Sequence, residues 1–316
     1  MSNPWNIMAA VALLVALAAF VSLWRVVHWH AGPRRVVLLS ALVAFVLVPL
    51  VVPADPVLRC VLTILVAGVL PAKIVDILRS GEHWQSQSWG RWVEFSLNPI
   101  ILVHRRHILE PRRSRAASAR LLWIGLAQVV AGHVIGAAWV GSGWTTASFW
   151  LDHAVKLVAV YLTTFNGGML LTTGLLRLLG SNVLDLVRSP GLARTPADFW
   201  RRYNRNAGQF LGEHVFMPLG GHRAPSRAIL LTFVINGLFH EYVGAMLAGR
   251  VTGYLLAFFV LQGLGVALTF RARLRGSVAH SVGIVSTLVF NYLTTILFFE
   301  AVDAGPGWYA DGGLLP

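Results

Sequence analysis

Charge is scarce in this sequence. Asp, Glu, Lys and Arg make up 12% of its 316 residues, about half of the roughly 25% found in an ordinary soluble domain, which is too little to clothe a water-soluble fold. Lysine is nearly missing: Lys73 and Lys156 stand alone among 26 basic residues, an arginine bias that points to a GC-rich, bacterial genome. Cysteine is limited to Cys60, which excludes an intrachain disulfide and makes a thiolate metal centre untenable. Met1-Ser-Asn-Pro-Trp-Asn6 holds no Lys or Arg ahead of the first apolar run, unlike the start of a secretory signal peptide, so that run is expected to be retained as a span. Internal repeats and low-complexity segments are absent.

What the chain has instead is apolar length. Hydrophobic residues account for 56% and the mean hydropathy is +0.66. Runs able to cross a hydrocarbon core of roughly 30 Å occur near 5–24, 35–53, 57–78, 121–141, 151–176, 228–249, 251–270 and 278–300. The expected fold is therefore an all-α polytopic membrane protein of about eight transmembrane helices, forming a single integral membrane domain over 1–316. Residues 79–120 and 180–227 form two long cytoplasmic or interfacial connections. Lys+Arg outnumber Asp+Glu by 26 to 13, and the arginines follow every odd span. By the positive-inside rule the Arg-rich loops face the cytoplasm and both termini lie outside. A bacterial chain of this kind belongs in the cytoplasmic membrane. The basic excess is thus accounted for by the bilayer, and no nucleic-acid partner is expected. Lys156 and Asn166-Gly167-Gly168 mark a possible break in the fifth span. Trp84, Trp89 and Trp92, interleaved with polar residues, suit a helix or loop lying in the membrane interface.

The densest chemical signal runs from Thr195 to Tyr242. Thr195 followed by Pro196 suits a helix start, with Thr as N-cap and Pro in the first turn. A continuous helix from there places Phe199, Tyr203 and Phe210 near one face, with Trp200 and Asn204 at i, i+4 beside them. Arg201, Arg202 and Arg205 then fall mostly on other faces, available to lipid headgroups or an anionic ligand. His240 and Glu241 lie thirteen and fourteen residues beyond Arg227, roughly 20 Å along a helix, at a depth where ionisable groups are functional candidates by default. A dry setting favours the uncharged imidazole that a general base requires, and Glu241 needs a partner there.

Pro-Ala-Asp-Phe-Trp-Arg-Arg-Tyr-Asn (196–204), the Phe-Met-Pro-Leu-Gly-Gly turn (216–221) and Phe-His-Glu-Tyr (239–242) resemble the membrane-bound O-acyltransferase family. The short chain and Ser189-Pro190 are most similar to its wax-synthase-like branch. The resemblance implies helices enclosing a tunnel and transfer of an acyl group from a thioester, usually acyl-CoA, to the hydroxyl of a lipophilic or small-molecule acceptor. His240 matches the family's catalytic histidine and Asn204 the asparagine upstream of it. The same match implies that His240, as general base, takes the hydroxyl proton and that Asn204 orients the reactants or supports the oxyanion. It further implies that Arg201, Arg202 and Arg205 attract the CoA phosphates and that Trp200 or Tyr203 stacks on adenine or lines the acyl path. His214, Asn236, Glu241 and Gln262 complete the candidate substrate-binding set. Acyl-CoA serves as co-substrate, with no separate cofactor.

The bland readings are also physical. A single His in an apolar helix is commonly a packed, hydrogen-bonded residue; the three arginines serve equally as positive-inside anchors. Gln209, Glu213, His214 and Asn236 suit structural roles, and Gln262 suits helix–helix bonding as well as pore lining. Metal is not expected: a His-Glu-x-x-His site needs a second His where Gly244 stands. The pairs His28/His30 and His104/His107 sit among arginines. A transporter or flippase, and a family member without catalysis serving as scaffold, are the competing classes.

Overall fold

The computed structural model describes residues 4–146, 148–304 and 309, and among these it is built of helices without strands. Among the described residues, seven helices are long and apolar enough to cross a membrane: α1 (Pro4–Val27), α2 (Ala31–Val51), α3 (Pro56–Arg79), α5 (Arg115–Gly141), α6 (Phe149–Leu178), α9 (Pro225–Ala248) and α11 (Ser277–Asp303). The remaining apolar run forms α10 (Tyr254–Thr269) of 16 residues. At about 1.5 Å per residue it reaches roughly 24 Å, short of the hydrocarbon core. The connections carry α4 (Trp89–Leu97), α7 (Pro196–Arg202) and α8 (Arg205–Leu211). The suspected break in the fifth span is a change of pitch. Helix α6 runs unbroken from Phe149 to Leu178, and its middle, Tyr161–Gly168, is π-helical, so the polar, Gly-rich stretch is absorbed by widened turns.

The chain divides into two compact units, Met1–Arg105 with Phe239–Thr252, and Arg106–Leu238 with Gly253–Pro316. In the first, α1, α2 and α3 pack with α4. Trp84 and Trp92, expected in an interfacial belt, are fully buried, whereas Trp89 is exposed. The Trp92 indole donates to Val21 O at 2.8 Å and stacks on Phe20. The cause is Lys73, buried completely in α3. Its ammonium donates to the carbonyls of Phe95, Ser96 (3.1 Å) and Asn98 (2.9 Å), groups the end of α4 leaves without intrahelical partners. It also lies 5.0 Å from the Phe95 ring centroid. One cation thus draws the aromatic connection inward. Lys73→Met keeps the stem and strands the carbonyls. It is expected to lower stability by about 2–3 kcal/mol, read from the denaturant midpoint of the detergent-solubilised protein; an unshifted midpoint would contradict this role.

In the second unit, α5 and α6 form an antiparallel hairpin held at close range by glycines. A Cβ at Gly132 would stand 2.7 Å from Ala159 O, and one at Gly174 would stand 2.5 Å from Leu122 N. Small residues permit such backbone approach, which dispersion then rewards in a membrane. Asn166 donates to Gln128 Oε1 at 2.7 Å across the same seam. This pairing fixes the π-helical stretch of α6 in place.

Candidate functional site

The Thr195-Pro196 start forms as its residues dictate: Thr195 Oγ1 accepts the Asp198 amide at 3.0 Å and Pro196 occupies the first turn. The expected continuous helix does not follow. Helix α7 stops at Arg202, Tyr203 is extended, and Asn204 adopts φ 43°, ψ 56° before α8 begins at Arg205. Phe210 therefore sits in a different helix from Phe199 and Tyr203. The reason is a competing backbone partner. The Arg188 amide donates to Arg202 O and the Arg205 amide donates to Leu186 O, both at 2.9 Å, consuming groups that a continuous helix would have used within itself. Of the two residues between them, Tyr203 is extended and Asn204 is forced into the left-handed region, which asparagine tolerates better than most non-glycine residues. Ser189, at φ 49°, shares that conformation among the described residues, so both limbs of this bracket carry a left-handed residue.

Arginines brace the bracket from outside. Asp185 meets Arg177 at 2.9 Å, Arg188 at 3.4 Å and Arg113 at 3.9 Å, while Arg205 Nη1 donates to Asp185 O at 2.9 Å. Burial alone would raise the Asp185 carboxyl, yet the Arg177 hydrogen bond and the three guanidinium charges hold it below its ordinary value. A depressed folded-state value contributes stability that is complete above about pH 4 and is lost as pH falls through that depressed value. Asp185→Asn is accordingly expected to cost about 1 kcal/mol at neutral pH and progressively less in acid. Thermal midpoints of both proteins at about pH 7 and about pH 3 check this; a constant gap would contradict it.

The other candidates on this loop divide between engaged and available groups. Arg202 Nε donates to Asp198 Oδ1 at 2.9 Å, whereas the Arg201 side chain is 63% exposed and only 3.9 Å from Asp198 at best, leaving it the freest of the three arginines. The Trp200 indole donates to Gln262 Oε1 at 2.9 Å, and Gln262 donates to Thr294 Oγ1 at 2.8 Å and Asn291 Oδ1 at 3.3 Å. Gln262 thereby bonds α7 to α10 and α11. Tyr203 stacks on Phe199 and meets Phe165 of α6 edge-on at 6.0 Å. Burial, reinforced by the Tyr161 phenol, pushes the Tyr203 phenol up, so it stays protonated. His214 is buried in a second π-helical stretch, Gly212–Phe216, with its ring 5.1 Å from Phe210. Glu213 beside it pairs with Arg106 at 3.1 Å. Asn236 is half-buried on α9.

His240 and Glu241 belong to the first unit. His240 is half-buried on α9, and Glu241 is buried with a partner in the loop after that helix: Oε1 accepts the Thr252 amide at 2.9 Å and hydroxyl at 3.2 Å. The Tyr242 hydroxyl donates to Val46 O of α2 at 2.8 Å. Phe239 lies against Gly68, where a Cβ would come within 2.5 Å of its ring. Gly68 sits in the π-helical part of α3, Thr63–Val69. Each candidate catalytic residue thus has, in its own unit, a neighbouring π-helical span packed against the adjacent aromatic, Phe239 beside His240 and Tyr203 beside Asn204. Pitch changes of this kind are frequent at functional sites.

Asp185, Tyr161, Phe165, Gly68 and Thr252 lie outside the motifs that the sequence marks as candidates. Asp185 had a detectable signal, an acid among arginines in the 180–227 connection. The π-helical contacts had none, since hydropathy does not register one added residue per turn. Among the described residues, no group of three or more His, Cys, Asp or Glu could hold a metal ion.

About 100 residues are 27% identical to the probable alginate O-acetylase AlgI of Pseudomonas syringae pv. tomato, covering 30% of this chain and 19% of that protein. The Azotobacter vinelandii protein of the same description is 26% identical over 100 residues, 30% of this chain and 20% of its own. A peptidoglycan O-acetyltransferase of Helicobacter pylori is 39% identical over 56 residues, 16% of this chain and 11% of that one. The matched stretch spans about a fifth or less of the length of these relatives. The sequence model of MBOAT, the membrane-bound O-acyltransferase family, matches residues 126–300, more than half of the chain and inclusive of Asn204 and His240; the chain belongs to that family.

Proposed function

We propose that this protein transfers an acyl group from a thioester, acyl-CoA, to a hydroxyl-bearing acceptor, with His240 as general base and Asn204 as the group that orients the reactants or supports the oxyanion. The observation that carries the reading is the conformation of Asn204. A non-glycine residue held left-handed by two backbone hydrogen bonds, inside the family-matched region, is strain of the kind that collects at functional sites. In the reaction, His240 accepts the acceptor's hydroxyl proton as its oxygen bonds to the thioester carbonyl carbon. The carbonyl oxygen takes up the negative charge, the Asn204 amide donates to it, and the C–S bond then breaks. The departing thiolate recovers the proton from the imidazolium, so no acyl-enzyme is required.

Arg201 is the strongest candidate for the CoA phosphates because it is exposed and weakly paired; Arg202 and Arg205 contribute field rather than free donors. Trp200 and Tyr203 line the acyl path, with Gln262 setting the Trp200 ring. His214, Asn236 and Glu241 complete the surroundings of the reacting groups. The arginine distribution supports both termini outside a bacterial inner membrane; this needs an even number of crossings, so α10 is counted as the eighth, with local thinning of the bilayer taking up its shortfall. Acyl length has two competing indications: the residue resemblance to wax synthases favours long chains, and the names of the matched relatives favour acetyl.

The test is incubation of the purified protein in lipid nanodiscs with radiolabelled acetyl-CoA or palmitoyl-CoA, each with a fatty alcohol and with a polysaccharide. Label arriving on either acceptor supports the reading, and the preferred donor settles acyl length. Absence of transfer from both thioesters to both acceptors would overturn it in favour of transport or scaffolding.

A further inference from the structure

The bracket around Asn204 is held on both limbs by one short piece of another helix. From the π-helical stretch of α6, the Tyr161 phenol oxygen accepts the Gly191 amide at 3.2 Å. That amide lies in the Pro190–Leu192 turn directly after left-handed Ser189, on the limb whose Leu186 and Arg188 bond to Arg205 and Arg202. Four residues on, Phe165 packs edge-on against Tyr203, the residue before Asn204 on the opposite limb. A Cβ at Gly191 would stand 3.1 Å from the Tyr161 oxygen, so the turn is closely seated on that phenol. A regular α-helix through 161–168 would turn about 100° per residue, and the wider π pitch alters the angular offset between Tyr161 and Phe165.

From this arrangement we infer that Tyr161 is a positioning residue for Asn204, acting through the Gly191 amide to keep the 186–191 limb in register and the side-chain amide of Asn204 aimed. The inference rests on the catalytic reading of Asn204 and assigns Tyr161 no contact with substrate.

Tyr161→Phe removes one oxygen and preserves the ring. In the full-length protein it is expected to lower kcat about tenfold, the scale on which small misplacements of a reacting group act, with KM for the acyl donor changed less than about twofold. Hydrogen exchange at the Arg188, Gly191 and Arg205 amides is expected to speed up about tenfold through local opening. In an Asn204→Gly background the same substitution is expected to cost nothing further in kcat, since its route to the reaction has been removed. Wild-type kcat and wild-type exchange in Tyr161→Phe would overturn the inference. So would losses that multiply in the double variant, which would make Tyr161 an independent contributor. Full activity of Asn204→Gly alone would overturn the role of Asn204 itself, and the exchange data on the same proteins tell that outcome apart from failure of the Tyr161 brace.

Discussion

Asn204→Gly is expected to fold as the wild type does and to lose acyl transfer by about 10²- to 10³-fold, the scale of one missing oxyanion donor. Glycine is the informative substitution because it occupies φ 43°, ψ 56° without the Cβ penalty that falls on alanine. Asn204→Ala combines two losses, the amide and a backbone cost of about 1–2 kcal/mol, and should show a lower thermal midpoint together with the same loss of rate. If the side chain acts on the reaction, glycine and alanine variants are equally slow although only alanine is unstable. If the residue serves only to turn the chain between α7 and α8, glycine restores full activity. Initial rates and thermal midpoints on both variants separate the two cases.

His240→Ala is expected to lower kcat by about 10²- to 10⁴-fold, the contribution of a positioned general base, with little change in KM for the thioester. His240→Gln, which preserves some polarity and volume but cannot accept and return a proton at this position, should be as slow as alanine. Glu241 is bonded to Thr252 and Tyr242 to Val46, contacts that do not pass through the imidazole. The thermal midpoint is therefore expected to move by no more than a few degrees, consistent with about 1 kcal/mol.

How much of this was legible in the sequence follows from which forces are local. Span positions could be read because burying apolar surface in lipid demands about 20 consecutive apolar residues; α10 escaped only in length. The start of α7 could be read because Thr195 and Pro196 act on the amides next to them. Its end could not: the break at Asn204 is decided by residues 186 and 188, which take the backbone groups of 202 and 205, and no pattern within 195–211 encodes that competition. The burial of Trp84 and Trp92 was hidden for the same reason, since it depends on a lysine in α3 meeting the end of α4. For the candidate site, position in an apolar run singles out His240 and the family resemblance adds Asn204, while the groups that hold their neighbours in place, Tyr161, Phe165 and Gly68, sit in π-helical turns that leave no periodic trace.

The acyltransferase reading is tested most directly by a single-turnover comparison of wild type and His240→Ala in nanodiscs, following label from a radiolabelled acyl-CoA onto the preferred acceptor. The expected result is label on the acceptor hydroxyl in the wild type and a rate lower by about 10² or more in the variant. Transfer at the wild-type rate by His240→Ala would contradict the account.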